Sequence, residues 1–101
     1  MRLQEAIDMF KSKANRYRWS YNNFYCRITK NIDERMAYHR AECICYLKAK
    51  SHSAACRLEE ALAAEGFNTG ARPGNGGDEE TVYVYMYLMT AGTVETDDDL
   101  D

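Results

Sequence analysis

Residues 81–91 read Thr-Val-Tyr-Val-Tyr-Met-Tyr-Leu-Met-Thr-Ala, and their period of two decides the fold class. Side chains of a strand alternate between its faces, so Val82, Val84, Met86 and Leu88 share one face and Tyr83, Tyr85, Tyr87 and Met89 the other. A lone strand leaves its backbone groups unpaired. Its partner must come from residues 67–72 as a hairpin, from residues 22–29 if these are extended, or from another chain. Immediately upstream, residues 66–80 hold five of the six glycines and the only proline, Pro73, which marks a loop.

The first two thirds of the chain read as helix. Leu3, Ile7, Phe10, Ala14, Tyr17, Tyr21, Phe24 and Ile28 recur at alternating spacings of four and three, an amphipathic seam. Residues 19–29 carry a competing strand signal, because they are rich in aromatic and β-branched residues and Phe24, Cys26 and Ile28 alternate. The unbroken seam favours helix there. Asn31 with Glu34 three positions on resembles a capping box, and no Gly or Pro follows until Gly66, a natural C-terminal stop. The expected fold is therefore α+β and predominantly helical. An antiparallel helical hairpin (residues 3–29 and 31–65) precedes the Gly-rich loop and a C-terminal β-strand or β-hairpin. Residues 1–94 form a single small domain and 95–101 an acidic tail.

The 101 residues carry a net charge of -3 that conceals a strong polarity. Residues 11–30 hold Lys11, Lys13, Arg16, Arg18, Arg27 and Lys30 and no acid. Residues 78–101 hold Asp78, Glu79, Glu80, Glu95, Asp97, Asp98, Asp99 and Asp101 and no base. Such a split suits charged contact with another macromolecule, or one end folding over the other. The amino-terminal stretch has no apolar signal region and no apolar run is long enough for a bilayer, so a cytoplasmic location without membrane contact is expected. The four cysteines, Cys26, Cys43, Cys45 and Cys56, are then expected to be reduced.

Catalytic signatures are lacking. Asp33/Glu34, Glu59/Glu60 and Glu79/Glu80 are sequence neighbours that diverge by ~100° on a helix. The glycines at 70, 74, 76 and 77 are followed by Asp78, and the Lys-Ser/Thr of a phosphate-binding loop is absent. The expectation is no enzyme, no catalytic residues and no cofactor. His39/Cys43 and His52/Cys56 have the spacing of paired ligands, with Cys26 a further donor, and a structural zinc site is the weakest functional alternative. On one helix the two pairs point apart, so no metal ligands are assigned and buried thiols acting as small hydrophobes are expected instead.

Two contact surfaces remain. Tyr83, Tyr85 and Tyr87 with Asp78, Glu79, Glu80, Glu95, Asp97, Asp98 and Asp99 form a candidate protein-binding surface, since tyrosine combines a large ring with a hydroxyl. The partner would be a protein with a basic surface, and the C-terminal strand would also offer an edge for a homo-oligomer. A small charge-polarised chain without a catalytic site has the design of phage or mobile-element accessory proteins. These act as inhibitors of a host nucleic-acid-handling machine, here through an acidic surface occupying a basic groove. The alternative is a single-stranded nucleic-acid binder that uses Lys11, Lys13, Arg16, Arg18, Trp19, Tyr25, Arg27 and Lys30. In that reading cations neutralise phosphates and rings stack on bases.

Overall fold

The computed structural model describes residues 1–70, 74 and 77–95. Helix α1 (Leu3–Ala14) is followed by a 3₁₀ turn (Tyr21–Asn23) and strand β1 (Phe24–Thr29). Helix α2 (Ile32–His39), strand β2 (Cys45–Lys48), helix α3 (His52–Ala64) and strand β3 (Tyr83–Leu88) complete the fold. The sheet order is β1-β3-β2, with β3 antiparallel to both neighbours. Strands β1 and β2 thus run parallel to each other with β3 inserted between them, a split β-α-β arrangement in which α2 is the connection.

The expected strand at 81–91 is present, as is the α+β class, but the helical hairpin is replaced by alternating helices and strands. The seam from Leu3 holds only to Ala14. Ile7, Phe10 and Ala14 are buried on α1, after which Asn15 ends the helix and residues 15–20 form an exposed connection. Phe24, Cys26 and Ile28 obey the alternation of a strand, so β propensity prevails over the seam from Phe24 onward. The second expected helix is cut at Arg40, which takes a left-handed conformation (φ 55°, ψ 48°) without being glycine. Such a residue costs roughly 1–2 kcal/mol and leaves no compositional mark in the sequence. Helix α3 then restarts at Ser51, whose hydroxyl accepts from the Ala54 N–H at 3.1 Å. The capping role of Asn31 is as expected, its side chain accepting from the Glu34 N–H at 3.0 Å. Gly66, at φ 107°, follows α3 as the stop residue.

Both faces of the sheet are covered. Val84 and Met86 pack with Phe24, Cys26 and Cys45 beneath Ala6, Ile7 and Phe10 of α1 and Ala55, Leu58 and Leu62 of α3. On the opposite face Tyr25, Tyr85 and Tyr87 pack against Met36, and the ring of His39 lies 4.9 Å from that of Tyr87. Tyr85 and Tyr87 are therefore fully buried. This corrects the expectation of an exposed tyrosine ridge, because α2 takes the place assigned to a partner. The expected homo-oligomer through the C-terminal strand is corrected for a related reason. β3 is the central strand and both of its edges are already hydrogen-bonded. The outer edge of β1 is partly closed as well, with Asn68 N–H donating to Phe24 O (3.0 Å) and Cys26 N–H to Asn68 O (2.8 Å).

Replacing Tyr85 with Glu should thus destabilise the domain severely rather than disrupt an interface, since losing the ring leaves a cavity and a charge enters the interior, each costing a few kcal/mol against a total of roughly 5–15 kcal/mol. Tyr85→Phe should keep the fold and lose about 1–3 kcal/mol, the cost of leaving a buried polar partner unpaired. Urea unfolding followed by circular dichroism measures both. A Tyr85→Glu protein with native stability would contradict the burial.

Candidate functional site

The basic segment is distributed by the fold between contacts that consume charge and a loop that does not. Lys11, on the last turn of α1, pairs with Glu65 at 2.9 Å. Arg27 donates through Nε to Glu59 Oε2 at 2.9 Å and through a terminal nitrogen to the Tyr25 hydroxyl at 3.1 Å. Tyr25 itself is buried and closed to a ligand. Lys30 is exposed and lies 4.0 Å from Asp78. Lys13 is partly exposed, and Arg16, Arg18 and Trp19 are exposed on the connection between α1 and the 3₁₀ turn. Trp19 is 58% exposed, although it is the only tryptophan. Among the described residues no side chain pairs with Arg16, Arg18 or Trp19.

That loop is held at both ends. Arg16 and Tyr17 N–H groups donate to Lys13 O (3.3 Å) and Ala14 O (3.0 Å), continuing the end of α1. The Tyr17 ring meets Phe24 edge-on at 5.7 Å, and the Ser20 hydroxyl donates to Asn22 Oδ1 at 2.7 Å. Arg16, Arg18 and Trp19 are consequently presented on an anchored turn, a cationic and aromatic surface with its backbone fixed in advance.

The acidic residues are placed less uniformly. Asp78, Glu79 and Glu80 are exposed on the turn entering β3. The Glu80 N–H donates to Asp78 Oδ1 at 3.0 Å, and this bond, with nearby Lys30, holds the Asp78 carboxyl below its ordinary range. Glu95 is partly buried and accepts from the Tyr87 hydroxyl at 3.0 Å, so it belongs to the folded body and not to a tail. Burial first, and the Glu95 carboxylate second, push the Tyr87 hydroxyl far up. Asp97, Asp98 and Asp99 lie outside the described residues. Tyr83 is partly buried, with Lys48 Nζ 5.9 Å from its ring centre.

A buried polar cluster under α2 was not foreseen from the sequence. His39 Nδ1 lies 2.5 Å from Val94 O and Nε2 lies 2.7 Å from the Tyr85 hydroxyl. A carbonyl only accepts, so Nδ1 carries the proton and Nε2 is the atom that meets the Tyr85 hydroxyl. Burial raises the Tyr85 hydroxyl above its ordinary value, against a hydrogen bond from Arg35 that lowers it. The cluster is a closed bolt between α2, β3 and residue 94.

The cysteines do not converge. Among the described residues no group of three or more His, Cys, Asp or Glu could hold a metal ion. All four thiols are free; His39 ends α2 with Cys43 in the following connection, while His52 and Cys56 share α3. Burial pushes Cys26 well above the ordinary thiol range and Cys45 up to about 11. Cys56 Sγ sits 3.4 Å from His52 Nε2, while His52 Nδ1 meets Thr81 O at 2.9 Å. Burial and Glu59 and Glu60 raise the Cys56 thiol, which is the opposite of what activates a nucleophile.

A second feature passed unnoticed in the sequence. Residues 43–58 contain Lys48, Lys50 and Arg57 and no acid. Flanking Glu42 and Glu59 conceal this in any longer window of the sequence. The fold gathers these three with Arg2 around a cavity between the start of α1, the end of β2 and the first turns of α3. Among the described residues no helix is long and apolar enough to cross a membrane.

The Arg27–Glu59 pair gives a pH-dependent prediction. Glu59 is fully buried, and burial raises its carboxyl, with the Gly74 N–H at 2.6 Å and Arg27 opposing. A raised carboxyl contributes stability that is full below its unfolded pKa and is lost as pH climbs through the folded value. Arg27→Met removes the opposing cation and extends that loss. The variant should fall short of the wild type by about 3 kcal/mol at pH 7 and by much less near pH 4, read from urea unfolding. An equal deficit at both values would mean that Arg27 acts only through packing.

Known proteins supply no further guide to this surface: no family model, no curated protein and no solved structure matches the chain.

Proposed function

We propose that the protein is a non-enzymatic binding module that takes hold of single-stranded nucleic acid through the Arg16–Trp19 loop. The observation that carries this reading is the exposure of the sole tryptophan next to Arg18 and three residues after Arg16, on an anchored turn where neither arginine pairs with a side chain among the described residues. An exposed indole is costly to leave in water, and Trp with Arg suits stacking on an unpaired base and neutralising its phosphates. Lys13 extends the positive surface along the last turn of α1. The protein-binding reading loses Tyr85 and Tyr87 to the core. It retains one supporting observation, the exposed Glu79 and Glu80 on the ordered turn at Asp78. In that form an inhibitor-like contact with a basic groove would be centred on this turn.

Trp19 provides its own probe. A single-stranded oligonucleotide should quench its fluorescence saturably, and log affinity should fall with log salt at about 0.7 per phosphate contact. Arg16→Ala with Arg18→Ala should flatten that slope by roughly 1.4 and weaken binding at low salt. Trp19→Ala, followed by anisotropy of a labelled strand, should cost about 1–3 kcal/mol. Unquenched fluorescence at low salt, or a slope indifferent to both arginines, would remove the nucleic-acid reading. Capture of a basic protein that is lost on Glu79→Lys with Glu80→Lys would then favour the alternative.

A further inference from the structure

The cavity between α1, β2 and α3 measures about 410 Å³ and has a lining of two chemistries. Met1, Leu3, Ala6, Leu47, Ala49, Ala54 and Leu58 supply aliphatic wall, while Arg2, Lys48, Lys50 and Arg57 supply cations. Ala6 and Leu58 are buried at its floor, and the four cations are exposed. Among the described residues none of the four is ion-paired. The nearby carboxylate of Glu5 is engaged instead by the Arg2 backbone N–H at 2.8 Å.

We propose that this cavity binds an amphiphilic anion, a carboxylate or phosphate head on an aliphatic chain. The head meets Arg2, Lys48, Lys50 and Arg57, and the chain lies on Leu3, Leu47 and Leu58. Three properties of the lining select this class. Four cations around one opening, none of them ion-paired among the described residues and only Lys48 near an aromatic ring (Tyr83, 5.9 Å), create a field that attracts an anion. No side-chain oxygen lines the cavity, so the hydroxyls of a sugar or the amino groups of a base find no side-chain acceptor there. No aromatic ring lines it either, which removes the stacking surface a nucleobase would use. Aliphatic wall beside long cationic side chains is instead the combination that covers an acyl chain and caps its charged end. The site is separate from the Arg16–Trp19 loop. The cavity meets the first turn of α1, and the loop leaves its last turn about 15–18 Å away at 1.5 Å per residue.

The test is isothermal titration of the intact chain with monomeric decanoate, decyl phosphate, 1-decanol and acetate, together with flotation on phosphatidylglycerol and phosphatidylcholine vesicles. Saturable one-site binding is expected for the two anionic amphiphiles and not for acetate or decanol. Lys50→Glu and Arg57→Glu, both on exposed side chains, should each weaken it about tenfold, equivalent to ~1.4 kcal/mol. Arg16→Ala should leave it unchanged, so failure here and failure of the nucleic-acid reading are separable. Flotation with phosphatidylglycerol in addition to decanoate binding would assign the ligand to a lipid surface. Decanoate binding alone would assign it to a free amphiphile, and either supports the site. No saturable decanoate binding overturns it, as does binding indifferent to both charge reversals. Equal affinity for acetate would reduce it to a diffuse ion effect. Vesicle capture without decanoate binding, or an acidic peptide bound in place of decanoate, would also overturn it.

Discussion

Every layer of this protein depends on β3 being hydrogen-bonded along both edges while covered on both faces. The middle of such a strand admits no water and no partner, so the side chains of Val84 to Tyr87 must find company inside the molecule. Val84 and Met86 do so among Phe10, Phe24 and Leu62, where burial of each large apolar side chain contributes roughly 1.5–3 kcal/mol. Tyr85 and Tyr87 carry hydroxyls into the interior and therefore require acceptors there. Glu95 accepts from Tyr87, and His39 Nε2 meets the Tyr85 hydroxyl. The described side chains contain no buried nitrogen or oxygen atom without a hydrogen-bond partner.

This requirement fixes neighbouring elements. His39 is the last residue of α2, and its two ring nitrogens join β3 to Val94 while the Val94 N–H returns to His39 O at 2.8 Å. The helix, the central strand and the segment after it are thereby locked to one another by directional contacts, which resist the sliding that apolar packing alone permits. Arg27 and Glu59 do the same elsewhere in the sheet, joining β1 to α3, and the Gly74 N–H donates to the same carboxylate. A carboxylate at zero exposure is tolerated because it accepts from both.

What the interior does not absorb is then informative. The arginines that were equivalent in sequence become unequal in the fold: Arg27 is consumed by Glu59, while Arg16 and Arg18 face solvent beside Trp19. The aromatic residues divide likewise, with three tyrosines committed to the α2 face and the tryptophan left outside. Function is sought on surfaces whose composition resists a packing explanation. The Arg16–Trp19 loop and the cation-rimmed cavity are two such surfaces, at opposite ends of α1.

The sequence by itself determined features governed by near neighbours. The period of two in residues 82–88, the cap at Asn31, the stop at Gly66 and the apolar face of Ile7, Phe10 and Ala14 all follow from residues within a turn or two. The strand in residues 24–29 was visible as an alternation and lost to a competing seam. The strand at 45–48 was hidden, because Arg40 breaks its helix without glycine or proline. Only the tertiary structure decided which face of β3 was free, since the answer lies in His39, 46 residues from Tyr85. It also decided that Arg2 meets Lys48, Lys50 and Arg57 around one cavity. Local pattern records what each residue prefers next to its neighbours. Exposure is a property of what the distant chain covers, and no periodicity encodes it.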